Sequence, residues 1–168
     1  MRHLAVLLGV LFLALGNSLS HAESTGATDP ETVVEKLCHE HKGGEGLFFQ
    51  TRSRAGLDRF FVKDLADLIW KDALAAKGEV GAIEFDPFVG SQDPQVTQWK
   101  VQKGNATAGT ALGLSTSSKV VATFKDGGKP RSVEFVLDQG KAGEWKVTDI
   151  RYPDHSSLRG IFAAQKKK

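Results

Sequence analysis

The chain has 168 residues, with 22 Lys and Arg set against 20 Asp and Glu. So even a balance offers no electrostatic case for nucleic acid or an anionic membrane surface as partner. A single cysteine, Cys38, rules out an intramolecular disulfide.

Met1-Arg2-His3 is a short basic start, and residues 4–15 form an apolar run shorter than the roughly 20 residues a membrane span needs. Polar residues follow, and Ser20-His21-Ala22 puts small side chains at the minus-three and minus-one positions of a cleavage site. This is the anatomy of a secretory signal peptide, with cleavage expected after Ala22. Cys38 lies too far downstream for a lipoprotein signal. The expectation is a periplasmic or secreted protein of one domain, residues 23–168, with flexible ends and no membrane insertion after cleavage.

Asp29-Pro30-Glu31 reads as a helix start, with Asp29 capping free amides and Pro30 in the first turn. Val33, Val34, Leu37, Cys38 and His41 recur at helical spacing, and Gly43-Gly44 ends the helix. Cys38-His39-Glu40-His41 holds good metal-ligand types, but no second ligand pair follows downstream, so no metal site is assigned. A connector precedes the strongest helical pattern, residues 57–76. Leu57, Phe61, Leu65, Leu68 and Ile69 share one face there, with Arg59, Lys63, Asp67, Lys71 and Trp70 opposite. Asp72 falls near the middle of the apolar face. Either it is paired, neutralised or turned to a polar cavity, or the helix frays and it meets water.

Residues 81–93 join helices to strands. Ile83, Phe85 and Phe88 are expected core anchors, while Asp86-Pro87 and Ser91-Gln92-Asp93-Pro94 are turn signals. The pattern then switches to period two: Thr97, Trp99 and Val101; Ala106, Ala108, Thr110 and Leu112; Val120, Ala122 and Phe124; Val133, Phe135 and Leu137; Trp145 and Val147. Glycine turns between these runs predict an antiparallel meander of about four to five strands. In the last strand, strict alternation puts Asp149 on the side of Trp145 and Val147. Either a bulge shifts the register or that carboxylate faces the helices. Leu158, Ile161 and Phe162 fit a short terminal helix capped by Ser156. Helices first and a sheet afterwards predict an α+β fold.

This order of elements resembles the nuclear-transport-factor-two-like superfamily, in which a curved antiparallel sheet and helices form a cone. Phe60-Phe61, Gly78-Glu79-Val80, Phe85-Asp86-Pro87-Phe88, Gln92-Asp93 and residues 143–150 are more closely similar to an exported bacterial family, the domain of unknown function 3828. The resemblance implies a pocket at the open end of the cone. Asp72, Asp86, Asp93 and Asp149 are the carboxylates placed to line it, and Gln92 and Tyr152 could supply hydrogen bonds. No nucleophile elbow, phosphate loop or catalytic histidine pairing accompanies them, so no catalytic residue and no cofactor is assigned. The expected function is a non-catalytic exported binding module, recognising an envelope protein or a small molecule through the cone mouth and the exposed sheet face. Tyr152 is the aromatic side chain expected to serve a protein partner. The alternative is a small pocket enzyme using an aspartate as general acid or base.

Overall fold

A computed structural model describes residues 28–40, 53–104 and 116–165. The predicted strand at residues 106–112, His41, the Gly43-Gly44 stop and the leader lie outside these residues. Among the described residues the order is α1 (Pro30–Glu40), α2 (Arg54–Phe60), α3 (Lys63–Ala76), β1 (Val96–Lys103), β2 (Ser117–Asp126), β3 (Lys129–Gln139), β4 (Trp145–Arg151) and α4 (Leu158–Gln165). The strands form one antiparallel sheet in sequential order, so the fold is α+β.

α1 begins as its sequence dictates. Asp29 accepts from the Thr32 amide at 2.8 Å and from its hydroxyl at 2.7 Å, and Val33, Val34 and Leu37 are buried. The predicted helix at residues 57–76 is instead two helices broken at Phe61 and Val62. Phe61 is extended (φ −108°, ψ 151°) and bridges Val147 of β4, whose carbonyl accepts from the Val62 amide at 3.0 Å. The break covers the outer edge of β4 and lets Phe60 and Phe61, adjacent in sequence, both be buried. The carbonyls freed at the end of α2 are met by Lys146, whose ammonium donates to Asp58 and Arg59. Trp70, expected opposite the core, is half-buried against it.

The two helices are also joined by charge. Arg54 donates to Asp58 at 2.9 Å and to Asp67 at 2.5 Å, and Lys63 donates to Asp67 at 2.8 Å. Those bonds, Lys63 first, hold the Asp67 carboxyl down at about 2, below its ordinary 3.8. A depressed acid stabilises the fold fully above its unfolded value and loses that contribution as pH falls toward its folded one. Unfolding in urea should therefore show wild type losing stability between pH 3.8 and about 2 more steeply than Asp67→Asn. Parallel pH profiles for the two proteins would exclude this role for the bridge.

β2 and β3 alternate strictly. Val120, Ala122, Phe124, Val133, Phe135 and Leu137 face the helices and are buried. β1 and β4 each depart from period two. In β1, Thr97 pairs with Lys125 and Lys100 with Thr123, so Gln98 and Trp99 together oppose Phe124. Thr97 and Trp99 consequently do not share a face as alternation predicted. In β4, Asp149 pairs with Val136 and Val147 with Leu137, leaving Thr148 as the extra residue. That bulge turns both Val147 and Ile150 inward, which decides between the two registers left open by the sequence. Ser157, rather than Ser156, caps α4 by accepting from the Gly160 amide at 3.2 Å, while Ser156 closes a local turn onto Asp154.

Candidate functional site

The segment between α3 and β1 is held by side chains acting on backbone. Both oxygens of Asp72 lie within 2.9 Å of the Ala82 amide, which fastens the end of α3 to the following loop. A side chain at Gly81 would run into that carboxylate. Asp72 is thus partnered and half-buried, and it does not simply meet water.

Asp86 is 2% exposed. Its amide donates to Ser91, its carbonyl accepts from Val89 and Gly90, and its carboxylate accepts from the Phe88 amide at 2.9 Å. Pro87 sets the turn within this frame. Gly90 has φ +70°, and a Cβ there would press on the Tyr152 ring at 3.2 Å, so both conformation and space require glycine.

Tyr152 is not an exposed sheet aromatic. It is buried, its ring meets Phe85 edge-on at 5.3 Å, and its hydroxyl donates to the Pro87 carbonyl at 3.0 Å. Burial first, and then the Asp149 charge, raise its phenol above the ordinary range. It pins the Asp86 turn to the end of β4. Tyr152→Phe should lower stability by about 1–2 kcal/mol, through a buried carbonyl left without its donor, which urea unfolding would read. An unchanged midpoint would show that the hydroxyl is not the pin.

Asp149 also serves backbone, accepting from the Ile150 amide at 2.9 Å and the Arg159 amide at 3.1 Å, which orients α4 on β4. Gln92 and Asp93 are exposed. Gln92 stands with Asp72, Glu79, Glu84 and Phe85 around a cavity of about 290 Å³ beside the end of α3. Asp86 lines a different and larger cavity, of about 700 Å³. Asp93 and Asp149 are in the walls of neither. The four aspartates are therefore not gathered around one pocket, and three of them already hold backbone amides.

The larger cavity lies between the end of α1, the Asp86 turn and the start of β1. Its described walls include Cys38, Phe88, Val89, Val96 and Trp99, with Gly127 and Gly128 of the β2–β3 turn at one side. That side is fixed, because the Gln95 amide donates to Asp126 and its carbonyl accepts from Gly127. Burial, and secondarily the charge of Asp86, raise the Cys38 thiol well above its ordinary range, so it is protonated at neutral pH and a poor nucleophile. Trp99 stacks on Phe124 with centroids 4.9 Å apart and planes 11° from parallel. Its indole nitrogen is buried without a hydrogen-bond partner among the described residues. A mainly apolar wall carrying a few fixed polar groups is the general form of a small-molecule site. Among the described residues no three His, Cys, Asp or Glu side chains are grouped to hold a metal ion.

No protein-family model and no curated protein matches this chain. Among solved structures it is similar to the phospholipid-binding protein from Ralstonia solanacearum, solved in complex with a phospholipid. Identity is 13%, and the match covers 80% of this chain and 66% of that one, with a TM-score of 0.33. At that score the two chains do not define a common fold.

Of the six residues expected from sequence to line a pocket, Asp72, Asp86, Gln92, Asp93, Asp149 and Tyr152, only Asp86 lies in the wall of the larger cavity. Cys38, Val96, Trp99 and the Gly127-Gly128 turn come from three separate parts of the chain, and no local pattern links them. The one local signal was a tryptophan on a strand with otherwise polar neighbours, Gln98 and Lys100.

Proposed function

We propose that this protein is an exported, non-catalytic binding module that takes a small molecule in the cavity between α1, the Asp86 turn and β1. The observation that carries the reading is the cavity itself: about 700 Å³, walled by Phe88, Val89, Val96 and Trp99, with the buried Asp86 carboxylate among them. That volume lies within the ordinary range of ligand sites, about 300–1,000 Å³. A protein partner on the sheet face finds less support. The face turned from the helices presents Lys100, Lys125 and Glu134, and the exposed large apolar side chains among the described residues, Leu74 and Val80, lie off the sheet. The leader at residues 1–22 supports placement in the periplasm or outside the cell. The motifs at Phe85-Asp86-Pro87-Phe88 and residues 143–150 support membership of the domain of unknown function 3828 family.

N-phenyl-1-naphthylamine, a neutral probe that brightens in apolar sites, tests the cavity. Saturable binding to the full chain is expected, with loss on Gln95→Trp, which places a bulky side chain at an exposed wall position without touching the core. Absence of saturable binding, or binding indifferent to Gln95→Trp, would remove the cavity as the site.

A further inference from the structure

Three observations fall together on β1. The Trp99 indole nitrogen is buried and has no hydrogen-bond partner among the described residues. A donor shut away from both water and protein is unfavourable, and such groups are rare in folded chains. Trp99 is in the wall of the larger cavity, with its ring held against Phe124. Its neighbour Gln98 takes a left-handed backbone conformation, φ +55°, within the bulge, a conformation disfavoured for a residue with a side chain. Two unfavourable features, one on the ring and one at the residue before it, occur where the strand meets the cavity. Strain of this kind collects at ligand sites.

Charge narrows what the cavity accepts. Its described walls contain no Lys, Arg or His, and their carboxylate is the buried Asp86. An anionic group there would give up its hydration with no cation among the described walls to receive it.

Resting on the binding function proposed above, we infer that the ligand is an uncharged, mainly apolar molecule bearing a hydrogen-bond acceptor, a carbonyl or ether oxygen, and that Trp99 Nε1 is the donor that selects it. Because the nitrogen is closed off in this structure, the indole must turn on binding so that Nε1 reaches the ligand oxygen.

The experiment uses three probes of one shape: 2-acetylnaphthalene, 2-ethylnaphthalene and 2-naphthoate. Each is titrated into the full chain while the indole N–H signals of its three tryptophans are followed by NMR. Trp99→Phe keeps a ring against Phe124 and assigns the Trp99 signal by its absence. Trp70→Phe and Trp145→Phe assign it by elimination if that variant does not fold. The acetyl compound should bind about fivefold tighter than the ethyl compound, the worth of one ordinary hydrogen bond. It alone of these two should move the Trp99 signal downfield, and 2-naphthoate should bind more weakly than the ketone. Equal binding of ketone and hydrocarbon with a stationary Trp99 signal would overturn the donor role and leave the cavity as a binding site. Tighter binding of the naphthoate would overturn the preference for an uncharged ligand. Failure of all three to bind would overturn the cavity reading and this inference with it.

Discussion

Phe135→Ala should lower the free energy of unfolding by about 3–5 kcal/mol, the usual range for removing a buried phenyl ring. Phe135 is wholly buried near the middle of β3. It is paired across the sheet with Val120 on one side and Ile150 on the other. Its ring stacks on Phe88 at 6.1 Å, joining the sheet to the Asp86 turn. These neighbours come from two flanking strands and a turn, so the space left cannot close by moving one side chain. Domains of this size are stable by only about 5–15 kcal/mol, so the variant should be partly unfolded at moderate temperature. Glu134→Ala, one residue away on the opposite face, should stay within about 1 kcal/mol of wild type, since its partners are the partly exposed Lys119 and Arg151. Urea unfolding followed by tryptophan fluorescence measures both. Equal effects at the two positions would mean that β3 does not bury the face assigned to it.

Asp86→Ala should lower stability by about 1–3 kcal/mol, since the Phe88 amide loses a buried acceptor. Asp86→Asn keeps an acceptor oxygen in the same place and should recover most of the loss. Because Phe88 carries the ring that packs on Phe135, loosening this turn also shifts one wall of the larger cavity. The alanine variant should therefore bind N-phenyl-1-naphthylamine more weakly even below its melting temperature. If alanine and asparagine are equally damaging, the charge of Asp86 rather than its bond to Phe88 is what the fold requires. If neither variant changes stability, the turn does not depend on this carboxylate.

Much of the architecture was legible because it rests on short-range chemistry. Asp29 and Pro30 start α1 through groups three residues apart. The alternation of β2 and β3 follows from opposite side chains meeting opposite environments, and the Gly127-Gly128 turn joins them with both glycines at positive φ. The α+β order followed from the change of period after residue 93. Where the prediction departed from the fold, a partner distant in sequence had intervened. Phe61 leaves the helical path because β4 offers its edge, and no feature of residues 57–76 announces Val147. Asp149 became ambiguous because a one-residue bulge reverses which face its strand buries.

The suspected site divides in the same way. Asp72, Asp86 and Asp149 stood out as acids near apolar positions, and the structure gives each a backbone amide as partner. Tyr152 stood out as an aromatic at the end of a strand, and it proves to be buried there. The sequence by itself determined the class of fold, the meander and the acids that would need partners, because period and turn chemistry act within a few residues. Only the tertiary structure decided which amide each acid would hold. It alone brought Cys38, Asp86, Trp99 and Gly127 around one cavity, because a cavity is made by contacts between chain segments whose spacing no local pattern records.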